Sequence, residues 1–165
     1  MRRLNWINYQ WLWVSGLVLL IDQLSKHWML ENLSLWQSVW VTHFFNVTLA
    51  FNTGAAFSVL AQASGWQNLF LLIMAMVISL IVLIWLGRAT LRPRLPLIGL
   101  TLIFGGASGN IIDRFRHGHV VDFLDFHLGD YHWPVFNVAD SAITIGAGLL
   151  MIQILLDYLN RRTIS

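Results

Sequence analysis

LFLLIMAMVISLIVLIWL, residues 69–86, decides what kind of molecule this is. The run holds no charge, and Ser79 is its only polar side chain. A helix needs ~20 mostly apolar residues to cross the hydrocarbon of a bilayer, and this run meets that requirement. Working outward, three further segments approach it. Residues 4–21 carry no charge after the first arginines, although Asn5, Asn8 and Gln10 make the start polar. Residues 95–112 are uncharged, and their second half holds the small, polar run GGASGN. Residues 135–156 are interrupted only by Asn137, Asp140 and Gln153. Trp11, Trp13, Trp28, Trp66, Trp85 and Trp133 fall near the segment ends, where interfacial aromatics are expected.

The composition agrees. Of 165 residues, 57% are hydrophobic and only 11% charged, so a disordered chain or an ordinary soluble enzyme is excluded. Mean hydropathy is +0.65. A globule of this size buries about 70% of its surface and has too little core for so much apolar area. The net charge of +2 argues against a nucleic-acid partner. With no cysteine, thiol catalysis, zinc–thiolate sites and disulfides are excluded.

The pattern predicts an all-α membrane protein: a four-transmembrane-helix bundle in one domain, residues 1–165. Its spans lie near residues 8–28, 68–87, 95–113 and 138–158. Arg2 and Arg3 before an apolar stretch resemble the start of a signal peptide, but no small-residue cleavage site follows, so the first span is read as retained. Arg2, Arg3, Arg88, Arg92, Arg94, Arg161 and Arg162 fall on one side, Lys26, Arg114 and Arg116 on the other. The positive-inside rule then places both termini in the cytoplasm.

Two outer segments follow from that orientation. Residues 33–64 have no Asp, Glu, Lys or Arg and are rich in β-branched and aromatic residues. They predict short strands with a turn near Asn52-Thr53-Gly54, resting on the bilayer interface. The segment between spans three and four is read as short helical or irregular structure.

Seven of the eight acids, Asp22, Glu31, Asp113, Asp122, Asp125, Asp130 and Asp140, gather at the outer face. Acids in or beside hydrocarbon are costly and tend to mark function. Asp22 and Lys26 are four apart on one helical face and read first as a structural ion pair. Asp113, which shares a face with Asn110, reads first as part of a structural cluster. Asn110 and Arg114 are candidates to hold backbone carbonyls of a substrate or a lipid head group. Asp140 opens span four, where capping competes with chemistry. Asp122, within Val-Val-Asp-Phe, is flanked by apolar residues and should be partly desolvated. Two carboxyls at close range share one proton, and one then serves as base while the other serves as acid. That suits water attack on an amide. Spacing does not choose an Asp122/Asp140 pair over Asp125 or Asp130. His117, His119, His127 and His132 raise a metal site as an alternative, but no H-E-x-x-H pattern occurs. A proton-coupled transporter is a third reading, against which stands the missing internal repeat.

Five blocks in order carry a resemblance: residues 22–26 (DQLSK), 52–57 (NTGAAF), 105–114 (GGASGNIIDR), 120–123 (VVDF) and 136–140 (FNVAD). Together with four spans, they resemble the lipoprotein signal peptidases, the signal peptidase II family of bacterial membranes. The resemblance covers nearly the whole chain. It implies an aspartic intramembrane endopeptidase with Asp122 and Asp140 as its dyad, needing no metal or other cofactor. The implied substrate is a diacylglyceryl-modified prolipoprotein, cut just before its lipidated cysteine. The resemblance further implies an outer sheet that cradles substrate on the membrane and a site open to the antibiotic globomycin. Asn52, Gly54, Asn110, Arg114 and Asn137 map to substrate-binding positions, and Asp22, Lys26 and Asp113 to supporting polar ones. The expected location is the bacterial inner membrane, with the active site near the outer face and the chain a monomer.

Overall fold

The computed structural model describes residues 5–54, 66–89 and 94–163. Ala55, Ala56 and Phe57 of the NTGAAF block, the predicted strand residues up to 64, and Arg2, Arg3 and Arg92 of the charge-placement argument lie outside them.

Four long helices carry the chain: α1 (Leu12–Asn32), α2 (Trp66–Arg88), α3 (Leu95–His117) and α4 (Val138–Thr163). Of these, α2, α3 and α4 are long and apolar enough to cross a membrane. A 3-10 turn, Trp6–Trp11, precedes α1. It occupies the place where the sequence predicted the start of a span. Its Asn8 donates to Leu86 O at 2.9 Å and Ala89 O at 2.8 Å, tying the turn to carbonyls at the end of α2. α3 opens with Pro96 in its first turn and closes on Gly118, whose φ of 74° suits a residue without a Cβ.

α3 is the central helix and packs on α1, α2 and α4. Its small residues allow this. A Cβ at Gly105 would come within 2.8 Å of Ser15 O on α1, and one at Gly106 would collide with Ala139 O on α4. Gly99 and Gly146 bring α3 and α4 equally close farther along. Backbones that approach this far gain van der Waals contact where lipid supplies no hydrophobic drive between helices. Buried Val82, Leu86, Leu97 and Leu100 fill the end of the bundle near the 3-10 turn. The outward sides of α2 and α4 are apolar and exposed, as at Leu69, Leu80, Ile81, Ile145 and Ile154.

The sheet corrects the sequence reading. It is four-stranded, in the order β1 (Ser38–Thr42), β2 (Phe45–Asn52), β3 (Val120–Leu128) and β4 (Tyr131–His132), antiparallel throughout. The segment after α3 is therefore not helical; it supplies β3 and β4, and its last part, residues 133–137, is irregular. Its alternation is hidden because residues 120–123 are all buried, so apolar side chains occupy both strand parities. Gly129-Asp130 closes the β3–β4 hairpin, with Gly129 at φ 59°. The β1–β2 hairpin turns at His43-Phe44, between paired Thr42 and Phe45, earlier than the Asn52–Gly54 turn that the sequence suggested. At that later point β2 ends, and Gly54 N donates to Asn52 Oδ1 at 3.0 Å. Met29, Leu49, Val121 and Phe123 form a small core that seats the sheet on the end of the bundle.

Candidate active site

Where the sheet meets the bundle, four acids from four elements converge around one lysine and three asparagines. The foundation is an ion cluster between α1 and α3. Lys26 Nζ lies 2.9 Å from Asp22 Oδ2 and 2.8 Å from Asp113 Oδ2, all three side chains being buried. Each carboxylate is also held from elsewhere. Asp22 Oδ1 accepts from Ala139 N at 2.9 Å, and Asp113 Oδ2 accepts from Val121 N at 3.1 Å. Gln23 Nε2 donates to Asp113 Oδ1 at 2.9 Å and to Asp22 Oδ2 at 3.2 Å. Gly109 faces Asp22 Oδ2 so closely that a Cβ there would overlap it. A buried charge cluster is tolerated only when its remaining hydrogen-bonding capacity is met, and here it is met from α1, α3, β3 and α4.

Two more acids sit above this cluster. Asp122 leaves β3, opposite Ala50 of β2, and is 2% exposed. Its Oδ1 accepts from Asn137 Nδ2 at 2.6 Å and its Oδ2 from Asn52 Nδ2 at 3.0 Å. Asp140 lies in the first turn of α4. Its Oδ1 accepts from Asn110 Nδ2 at 2.8 Å. Asn137, just before α4, closes a reciprocal cap: Asp140 N donates to Asn137 Oδ1 at 2.8 Å, and Asn137 N donates to Asp140 Oδ2 at 3.3 Å. One asparagine thus holds Asp122 by its side chain and Asp140 by its backbone. The capping read for Asp140 in the sequence is present, and the same carboxylate also joins the cluster through Asn110.

The electrostatics follow from burial. Desolvation pushes the Asp122 carboxyl up to about 7, and the negative charge of Asp140 adds to the rise. The amide N–H groups of Asn52 and Asn137 and the charge of Lys26 oppose it. A carboxyl poised there exchanges protons readily at neutral pH.

Arg114 Nη2 donates to Gly54 O at 2.7 Å, and its Nη1 reaches Asn68 Oδ1 at 3.4 Å. It therefore fixes the backbone just beyond Asn52. A groove of about 650 Å³ opens beside Asp140, with Trp133, Phe136, Ser141, Ile143 and Ile145 among its walls.

The remaining ionisable groups sit elsewhere. Asp125, three residues along β3 from Asp122, points to the opposite face of the strand. Its carboxylate is held by Thr48 Oγ1 at 2.8 Å and His132 Nδ1 at 2.7 Å. Asp130 is exposed in the β3–β4 turn. His119 stacks on Phe51 at 4.1 Å, and burial together with the neighbouring His117 lowers its pKa. Among the described residues no group of three His, Asp or Glu side chains could hold a metal ion.

Of the ten residues singled out in the sequence, Asp22, Lys26, Asn52, Gly54, Asn110, Asp113, Arg114, Asp122, Asn137 and Asp140, all belong to this connected network. Two further members had no assigned part. Gln23 lay inside the DQLSK block that carried the resemblance. Asn68, beside Gln67 in the first turn of α2, carried none.

Comparison with known proteins bears on this arrangement. Residues 14–156 match the family described as Signal peptidase (SPase) II. The chain is 47% identical over 144 residues to the lipoprotein signal peptidase of Alteromonas mediterranea, covering 87% of this chain and 79% of the relative. It is 49% identical over 148 residues to that of Coxiella burnetii, covering 90% and 91%. A bacterial membrane enzyme solved by the in meso method at 2.3 Å resolution superposes with a TM-score of 0.81 at 32% identity, covering 97% of this chain and 95% of the other. Because the match spans most of the chain, including every residue of the network just described, the chain belongs to the signal peptidase II family and is a peptidase.

Proposed function

We propose that the chain is an aspartic endopeptidase that removes the signal peptide from diacylglyceryl-modified prolipoproteins, cutting just before the lipidated cysteine. The observation that carries this reading is Asn137, which touches both Asp122 and Asp140 and so keeps the two carboxyls adjacent. The printed name of the relatives, lipoprotein signal peptidase, supports the substrate class.

In this mechanism one carboxyl is ionised and takes a proton from water. The other is protonated and donates to the scissile carbonyl as the water oxygen attacks. When the tetrahedral intermediate collapses, the first returns its proton to the leaving amine and the roles exchange. Asn52, Gly54, Asn110, Arg114 and Asn137 frame the substrate. The groove beside Asp140, walled mainly by apolar side chains, suits an extended segment arriving from lipid. No metal takes part.

The same reading places the chain as one domain in the bacterial inner membrane, acting as a monomer. α1, whose 21 residues match the thickness of the hydrocarbon, joins α2, α3 and α4 as a fourth span. Both termini are cytoplasmic, and the sheet and acids lie at the outer face. Globomycin competes for the site.

The test is incubation in detergent with a prolipoprotein, with and without prior diacylglyceryl transfer. Wild type cleaves only the lipidated form, whereas Asp122→Asn and Asp140→Asn bind it and leave it intact. Full turnover by either variant ends the dyad reading.

A further inference from the structure

The amides next to the two acids have a direction that their neighbours dictate. An ammonium only donates hydrogen bonds, so the atom of Asn110 that Lys26 Nζ meets at 3.1 Å is the carbonyl oxygen. The Asn110 N–H2 is thereby turned to Asp140 Oδ1, 2.8 Å away. Asn137 Nδ2 also donates to Asn110 Oδ1, at 3.2 Å. Backbone N–H groups likewise only donate, so Asp140 N claims Asn137 Oδ1 and turns that side chain's N–H2 to Asp122 Oδ1. Lys26 is 2% exposed, and its three N–H donors are matched by three acceptors, Asp22, Asp113 and Asn110. A donor chain thus runs from Lys26 through Asn110 to Asp140, two bonds long and closed to water at its origin.

We propose that Lys26 is a positioning residue for the reaction: it fixes and polarises the Asn110 carboxamide so that an N–H always faces Asp140. This rests on the dyad reading and goes beyond a role in holding helices together. Hydrogen bonds in series strengthen one another, so a cation at one end of the amide makes the other end a better donor. A donor aimed at Asp140 favours its ionised form. Lys26 therefore helps set the pH range in which one acid of the pair is charged while the other keeps its proton. The charged and titratable groups around Asn110 are Asp22 and Lys26 on α1, Asp113 and Arg114 on α3, Asp122 on β3 and Asp140 on α4. Of these, Lys26 is the one that bonds to its oxygen as a cation.

Removing Lys26 alone would strand two buried acids, so the experiment compares Asp22→Asn with Asp22→Asn/Lys26→Met, in which one charge of each sign is removed. The pH dependence of kcat and KM for a lipidated prolipoprotein is measured in both, and again with Asn110→Ala added to each. Loss of Lys26 moves the acidic limb of the kcat profile to higher pH by roughly 0.5 to 1 unit, lowers kcat about tenfold, and leaves KM within twofold. In the Asn110→Ala background the same change moves nothing further. A limb that stays in place overturns the proposal. So does an equal shift without Asn110, because Lys26 would then act as a charge through space. Asn110→Asp keeps an oxygen for Lys26 and serves if the double variant does not fold. It loses turnover at neutral pH and regains it as the introduced carboxyl takes up a proton in acid. Wild-type turnover by Asn110→Asp at neutral pH refutes the proposal. Asp122→Asn and Asp140→Asn are assayed alongside. If either turns over, the dyad reading has failed; if both are inactive while the Lys26 shift is absent, only this inference has.

Discussion

Asp22 accepts a hydrogen bond from the backbone N–H of Ala139 at 2.9 Å, across 117 residues of sequence. Ala139 is in the first turn of α4, where N–H groups have no helical partner. A carboxylate on α1 thus caps α4 one residue before Asp140. The ion cluster and the pair of acids above it are therefore mechanically joined. Asp22→Ala should destabilise the protein by about 3 kcal/mol, the range for breaking a buried charge cluster. Asp22→Asn, which keeps an oxygen for Ala139, should lose about half as much. Thermal unfolding in detergent at constant pH measures both; equal losses would show that the bond to Ala139 contributes nothing.

The raised Asp122 carboxyl makes stability pH-dependent with a definite sign. In the unfolded chain the group titrates near 3.8, in the fold at about 7. Between these values the native state binds more protons than the unfolded state, so this group's contribution to stability falls as pH rises through that window. Asp122→Asn removes the effect. Relative to wild type it should gain, on the order of 2 to 4 kcal/mol, between pH 4 and pH 8. Melting temperatures of the two proteins, taken at intervals over that range, should diverge upward. Parallel curves would show that Asp122 is not desolvated.

Gly106 sits where α3 passes the start of α4, and a Cβ there meets Ala139 O. Gly106→Ala should push the first turn of α4, with Asp140, away from Asp122. We expect a stability loss of about 2 kcal/mol and a fall in turnover of more than tenfold, whereas Gly148→Ala, which has open space around its Cβ, should change neither. Turnover unaffected in Gly106→Ala would mean that the placing of Asp140 tolerates such a shift.

Asp125 and Asp130 provide the contrast for the proposed dyad. Asp125→Asn loses the carboxylate charge that faces His132 and Thr48 and should cost about 1 to 3 kcal/mol, with turnover kept within a few fold of wild type. Asp130→Asn, at an exposed turn, should change neither quantity. Loss of turnover in folded Asp125→Asn would reopen the choice of acids.

The histidines give a fifth check. His127 and His132 stack with centroids 4.9 Å apart, which leaves their ring nitrogens poorly aimed at a shared ion. Turnover should survive a strong chelator and the changes His119→Ala and His127→Ala. Inactivation by the chelator, reversed by adding a divalent metal, would point to a metallopeptidase.

Much of this was legible in the sequence. The apolar runs predicted α2, α3 and α4 because a helix satisfies its own backbone and a long uncharged stretch has few other homes. The small residues of GGASGN stood out in the sequence, and Gly105, Gly106 and Gly109 are where the neighbouring elements press in. The polar residues of the five blocks were also visible, since each stands out against apolar surroundings. What failed was residues 120–132. Val120, Val121, Asp122 and Phe123 are buried on both faces of β3, so no period-2 pattern marks a strand.

The sequence by itself determined which side chains must leave water and which segments must be helices, because hydrophobicity and charge are properties of each residue and its near neighbours. Residue spacing left Asp122, Asp125 and Asp130 equivalent, and within the sequence only the resemblance of the five blocks favoured Asp122. The physical reason lies in the tertiary structure, since which acid approaches Asp140 depends on the pairing of β2 with β3 and on the face of the strand each acid leaves. Those are relations between segments some seventy residues apart, set by packing against α1 and α3, and local composition carries no record of them.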